Sequence, residues 1–442
     1  MSTATRKNIL VLVPNGITYR NLFQTGVLET IKKNTNFNLI FSINPQLGDH
    51  HGQAIPMECE ASARWYARLI MSVLRKRFQT ISPTCTTNIL QREPLSPGFR
   101  FSVSKMGRYP FPRSIRLFNF LQWLYKKSIL RNNKHARWAF DNYKIDVVLS
   151  CHPTSSEEVD YTFEALRRGI PLVSLVKSFD NLTSIGYMPV IPDALAVWNK
   201  KMYFEALDLY PLNATQVRVV GAPQLNSQYH RSEREIKNFR SELKMESGGR
   251  LLLYATVARA LNPWDKEIVE LLVEKLLTVQ DRLLVRLHQN DDIDRWKDLT
   301  ADPRILLFDP SKEKKSNLRV RDDKFLDCLK LQIAASDVVI NTCSTMTLDA
   351  FEQRTPVVNI AFDLDDRSRN NISRYYKFSH YKYLLASRNI RVAFSFNELV
   401  AILNRQSSYD WKEEESFRRA VLGPENTADL LNALLTDVAK WS

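Results

Sequence analysis

Cysteine is scarce and unpatterned in this 442-residue chain: Cys59, Cys85, Cys151, Cys328 and Cys343 are odd in number and fall in neither a CxxC nor a metal-ligand spacing. That excludes a disulfide framework and a cysteine-built metal centre, and leaves free thiols of a reducing compartment. In that setting the sequons at Asn181, Asn213 and Asn371 are chance matches. Long apolar runs are missing as well, since no stretch approaches the roughly 18 consecutive apolar residues of a membrane span. The apolar run in MSTATRKNILVLVPNG ends at Pro14-Asn15-Gly16 with no small-residue cleavage site, so no secretory leader is expected. The expected location is the cytoplasm.

The most informative shortage is of acids in one stretch. From Ala61 to Arg137 there are sixteen Lys or Arg residues and one acid, Glu93, so this stretch carries +15 of a chain total of +14. Everything else is close to neutral. Trp65, Tyr66, Phe99, Phe101, Tyr109, Phe111, Phe118, Phe120, Trp123 and Tyr125 are interleaved with the cations. That mixture suits an anionic membrane surface, where cationic tips meet phosphates and rings enter the interface. It also suits single-stranded nucleic acid, the less favoured partner. A plainer reading makes IRLFNFLQWLYKKSIL an amphipathic helix with its aromatics in the core and its charges in water.

What is present in quantity is apolar β-branched runs alternating with helical patterns, the signature of parallel sheets built from βαβ units. In the first half NILVLVP, FNLIFSI, DVVLS, PLVSLV, ALAVW and VRVVG read as strands; in the second, LLLYAT, RLLVRLH, ILLFDP, DVVINT and PVVNIA, then a helix from Phe396 to about Asn404. The charged stretch SEREIKNFRSELKMESGG separates them. The expected architecture is α/β, two doubly wound domains over 1–235 and 236–420, with the basic segment 61–137 inside the first and a terminal piece at 421–442. A length of 442 residues fits two cores.

Ligands of open parallel sheets bind beyond the carboxyl ends of the strands. Those positions hold Thr256 after LLLYA, His288 after RLLVRL, and Thr342, Cys343, Ser344 and Thr345 after DVVIN. Ser344 and Thr345 open a helix, where free N–H groups and hydroxyls suit a phosphate, although an ordinary N-cap uses the same residues. His288 is placed to reach the same phosphate. Asp349 and Glu352 follow one turn apart on that helix, with Glu352 positioned for ribose hydroxyls.

These segments carry a resemblance. DVVINTCSTMTLDAFEQRTPVVNIAFD, SHYKYLLASRNIRVAFSFNEL, VRVVGAPQLN and KSFDNLTSIGYMPVIPDALAVWNKKM resemble GT-B transferases, in particular the CDP-glycerol glycerophosphotransferase-like and surface-polysaccharide group. The RLH and Ser-Thr positions are similar to the His-Pro and Ser-Ser/Thr motifs by which related enzymes hold a nucleotide phosphate, with Gln289 where those have proline. The resemblance runs from about Asp146 onward and includes PNGITYRNLFQTG, but leaves 61–137 uncovered. It implies two Rossmann-like domains facing a central cleft, with Asn15, Gly16, Ser178, Asn181 and His380 lining it on the acceptor side. It also implies a last helix, about Glu425 to Lys440, that returns to the first domain through Leu430, Leu431, Leu434, Leu435 and Val438.

Inverting transfer needs a base facing the donor. Asp180, the carboxylate of the loop after PLVSLV, is the first candidate, and His152, after DVVLSC, the second. No metal-ligand cluster is read at a strand end, so no metal or cofactor is expected. The implied activity is transfer of a sugar, or a glycerophosphate-like unit, from a nucleotide-activated donor to a surface glycan or lipid-linked acceptor at the inner face of a membrane. The alternatives are a nucleotide-sugar isomerase of the UDP-GlcNAc 2-epimerase type, which shares the fold, and a nucleic-acid-binding protein.

Overall fold

The structure, a computed structural model, describes residues 6–33, 36–47, 54–92, 115–184, 186–225, 231–245, 248–259, 261–288, 291–310, 325–365, 371–405 and 411–441. Gln289 and the stretch 93–114, with Phe99, Phe101, Tyr109 and Phe111, lie outside them.

The first sheet holds β1 (Lys7–Val13), β2 (Phe37–Ile43), β3 (Ile55–Pro56), β4 (Val147–Ser150), β5 (Leu172–Leu175), β6 (Ala194–Val197) and β7 (Val217–Val219), in the order β3-β2-β1-β4-β5-β6-β7. The second holds β8 (Leu251–Ala255), β9 (Arg282–Arg286), β10 (Ile305–Phe308), β11 (Val338–Asn341), β12 (Val357–Ile360) and β13 (Ile390–Ala393), in the order β10-β9-β8-β11-β12-β13. Every pairing is parallel. Both sheets therefore start in the middle, wind outward to one side and then reverse, which is the doubly wound order. The reversal falls between β1 and β4 in one sheet and between β8 and β11 in the other.

Central strands such as LVSL, VVLS and LLLYA are buried on both faces, which explains their unbroken apolar runs. β3 and β13 were not among the expected strands. β3 is a two-residue edge, and IRVA reads poorly because Arg391 sits at an edge where only part of the strand is buried.

The Glu233–Glu242 helix is capped by a reciprocal Ser232–Glu235 box and lays Ile236 and Phe239 on the core of the second sheet. The second domain thus begins ahead of this helix rather than within it at 235/236. At the other end, the Trp411–Leu422 helix packs on the second domain beside Phe351, and the chain then crosses back. The crossing needs glycine twice. Gly221 has φ +88°, and a Cβ on it would lie 2.2 Å from the Pro424 carbonyl oxygen; Gly423 has φ +82°, and its Cβ would lie 1.9 Å from the Trp198 oxygen. Beyond the crossing, the Thr427–Val438 helix packs on Val27–Lys33, with Leu431, Leu434, Leu435 and Val438 in the core beneath β1 and Leu430 at its margin.

The basic segment folds into helices Trp65–Ile81, Cys85–Arg92, Ile115–Asn132 and Lys134–Asn142. Only half of the plainer reading holds. Phe118 and Tyr125 are in the core, whereas Trp65 (71% exposed), Phe120 (53%) and Trp123 (49%) face outward among the cations. Phe120 stacks on Trp123, and Lys127 lies 4.2 Å from the Trp123 ring. Among the described residues no helix is long and apolar enough to cross a membrane.

Candidate active site

The donor-side candidates gather at one edge because of strand register. Arg286, Ala255 and Asn341 pair in a row across β9, β8 and β11, so Thr256, His288 and Thr342 emerge side by side one or two residues later, at the reversal of the second sheet. Thr256 accepts a hydrogen bond on its hydroxyl from the His288 backbone N–H at 2.6 Å, which fixes the two strand ends to each other. Across the reversal, Asn262 Nδ2 donates to Thr342 Oγ1 at 3.0 Å and to Asp265 at 2.9 Å. Asp265 also accepts from the Tyr254 hydroxyl and the Val257 N–H. Its carboxyl is pushed up to about 7, by burial outweighing those bonds.

The turn after β11 is strained. Cys343 has φ +38°, unusual for a residue with a side chain, and its N–H is held by the Tyr376 hydroxyl at 3.2 Å. Beneath it, Asn341 Oδ1 accepts from the Ser344 N–H and hydroxyl, while Thr347, Tyr381 and Asn359 form a buried hydroxyl–amide chain with contacts of 2.6 and 2.7 Å. Ser344 Oγ accepts from the Met346 N–H at 3.1 Å, at the first residue of the short helix, while Thr345, at the N-cap position, is exposed and makes no side-chain cap bond. Strain held by a dense polar network at a strand end is a feature of binding turns.

Asp349 and Glu352 meet a partner absent from the sequence reading. Lys330, fully buried on the Phe325–Ala335 helix, donates to Asp349 at 2.7 Å and to Glu352 at 3.1 Å. Burial lowers the lysine pKa, but the two carboxylates outweigh it and hold it above its usual value. The expectation that Glu352 is offered to a ribose gives way to an internal ion pair, because a buried ammonium requires counter-charges.

In the first domain the carboxyl ends of β1, β4 and β5 bring together Asn15, His152 and Lys177. Asn15 caps the Gly16–Phe23 helix through Thr18 N–H, and its amide donates to Glu157 at 2.7 Å; Gly16 itself is buried as the first helical residue. His152 is 8% exposed, with Nδ1 3.2 Å from Lys177 Nζ and 3.8 Å from Glu157, and its Nε2 is buried without a hydrogen-bond partner. Burial, with Lys177 and Arg75 nearby, lowers its pKa against the pull of Glu157, which favours the neutral ring. The loop carrying it is held by Glu158, which accepts from Ser150, Cys151 N–H and His152 N–H and is itself pushed up to about 7 by burial. Glu158 and Asp265 thus do the same work in the two domains. Neither was legible in advance, since an acid a few residues past a strand end reads as a loop or helix residue.

Asp180 is not a free carboxylate. One oxygen accepts from Ser178 at 2.6 Å and from Asn181 at 3.5 Å, the other from Ser184 at 2.7 Å. Burial would raise its pKa, but His380 and the two serines hold it below the usual range, which makes it a poor base. Its loop instead meets the second domain. Thr183 Oγ1 lies 3.3 Å from His380 Nδ1, and burial pushes the histidine down to about 4. Phe179 meets the same histidine ring edge-on, and Thr86 and Ser379 bond beside them, so the Asp180 loop and His380 form an interdomain contact, with Asn181 buried behind it on the first-domain side.

No protein-family model matches the chain, and no curated protein matches it by sequence. Solved structures do match in shape. UDP-GlcNAc 2-epimerase from Methanocaldococcus jannaschii superposes with a TM-score of 0.53 at 11% identity, over 98% of this chain and 100% of that one. The Neisseria meningitidis enzyme bound to UDP-GlcNAc gives 0.51 at 12%, over 98% and 100%. The wall teichoic acid polymerase TagF gives 0.49 at 12%, over 100% and 91%. With two parallel sheets of doubly wound order bound together by a returning C-terminal helix, the protein has the GT-B fold.

Proposed function

We propose that the chain is a transferase that moves a sugar, or a glycerophosphate-like unit, from a nucleotide-activated donor to a surface-glycan or lipid-linked acceptor. The observation that carries this reading is the convergence of Thr256, His288, Thr342 and Ser344 at the reversal of the second sheet, around the strained Cys343 turn. In doubly wound sheets that crevice takes nucleotides. Hydroxyls, an imidazole and backbone N–H groups there meet the diphosphate, and they stabilise the charge that develops on it as the bond to the transferred group breaks. Structures of the same fold carry UDP-GlcNAc and UDP, which supports a nucleotide donor.

His152 takes the role of base in this proposal, ahead of Asp180. With Nδ1–H directed at Glu157, the unpartnered Nε2 accepts the acceptor's hydroxyl proton; with Lys177 donating to Nδ1, Nε2 instead carries a proton and donates. The second reading, an isomerase, is favoured by the epimerases among the structural matches. Incubation with UDP-GlcNAc alone and with candidate acceptors separates the two. Conversion of the sugar without acceptor would establish the isomerase and end the transferase reading; acceptor-dependent release of nucleotide supports the transferase.

A further inference from the structure

We propose that Glu58, Glu60 and His135 form a site for one divalent ion of the zinc class, on the first domain, where the exit of β3 meets the Lys134–Asn142 helix. His135 Nε2 lies 2.9 Å from a Glu58 oxygen and 3.1 Å from a Glu60 oxygen, and the three donor atoms are all within 4.8 Å of one another. Zinc bonds of about 2.0–2.2 Å to nitrogen and oxygen place ligand atoms roughly 3–4 Å apart, the scale of this triangle.

The chain builds this triangle without help from an ion. Glu58 and Glu60 lie on the segment leaving β3, and both carboxylates reach the same imidazole nitrogen of His135. That segment is anchored on both flanks, by Met57 and Ala61 in the core and by Asp160, which accepts from the Ala61 N–H at 2.9 Å and the Ser62 N–H at 3.2 Å. Ala136, next to His135, is buried in the same core. Ligands whose neighbours are locked in place are preorganised rather than gathered by chance motion.

Charge gives an independent reason. The two carboxylates lie beside a stretch of sixteen Lys and Arg residues, yet among the described residues neither is paired with one. A neutral imidazole with two carboxylates leaves a charge of −2 for a divalent ion to balance. The imidazole selects zinc-class ions over magnesium or calcium, with water completing the coordination. Bound there, the ion fastens the β3 exit to the Lys134–Asn142 helix and fixes the chain just ahead of the Trp65–Ile81 helix.

Calorimetric titration of the full, untagged chain with zinc chloride tests this. One equivalent should bind at micromolar free metal and raise the melting temperature, because an ion held by the folded state alone stabilises it. His135→Gln, and separately Glu58→Gln with Glu60→Gln, should weaken that binding at least tenfold while leaving the circular dichroism of the metal-free protein unchanged. These side chains lie on the surface, so the variants are expected to fold. Binding of equal strength in both variants would put the metal elsewhere, and no binding up to millimolar zinc would reduce the cluster to a histidine–carboxylate ion pair; either result overturns the proposal.

Discussion

His152 and Asp180 show how a residue's surroundings decide its chemistry. Both follow a strand of the first sheet, but His152 keeps a buried nitrogen without a partner, whereas the oxygens of Asp180 are taken up by serine hydroxyls and the Asn181 amide. Replacing His152 with Ala should therefore lower kcat by about 10²-fold or more with little change in donor affinity, the scale of a lost general base. Asp180→Asn should cost much less in kcat, and a larger loss for Asp180→Asn than for His152→Ala in steady-state assays would return the role to the aspartate. Glu158 and Asp265 make a second, thermodynamic prediction. Both carboxyls are raised to about 7 in the folded state, well above the values of an unfolded chain. The unfolded state therefore gives up these protons first as pH rises, the native state binds more protons between about 4 and 7, and stability falls across that window. Urea midpoints should decline from pH 4.5 to 7 and then level off, and Glu158→Gln with Asp265→Asn should flatten the slope; a slope unchanged in the double variant would remove these groups as its cause.

At the scale of elements, strands buried on both faces announce themselves as apolar runs, which is why LVSL and LLLYA were readable and the half-exposed edge IRVA was not. The polar site was readable only by position. Strand ends pointed to Thr256, His288 and Ser344, but Lys330, Tyr376 and Asn262 reach the site from distant sequence and carry no local signal. The outward face of Ile115–Asn132 was half legible, since helical periodicity alone does not say which aromatics a second helix covers. Phe120 and Trp123, flanked by Arg116, Lys126 and Lys127 with no acid on the helix, are exposed on this face, and we propose it as the surface for an anionic membrane, where each cation would contribute about 1 kcal/mol. Changing Lys126 and Lys127 to Glu should reduce co-sedimentation with anionic vesicles at low salt, and changing Phe120 and Trp123 to Ser should remove the part that survives high salt. Equal binding to zwitterionic vesicles would leave this face an ordinary solvated one.

For the whole molecule, the two domains are held by backbone crossings as well as by side chains. Gly423→Ala would drive a Cβ into the Trp198 carbonyl at a positive φ, so the Trp411–Leu422 and Thr427–Val438 helices would have to shift; a loss of about 2 kcal/mol or more is expected, read as a lower melting temperature. An unchanged melting temperature would show that the crossing relaxes freely. The central claim is that the crevice at the β8–β11 reversal holds an activated nucleotide. Thermal-shift titrations with CMP, CDP, UDP, GDP and dTDP, on wild type and on His288→Ala and Ser344→Ala, test it most directly. One diphosphate should raise the wild-type melting temperature and do so far less in both variants, whereas equal stabilisation of all three proteins would place the nucleotide elsewhere and contradict the account.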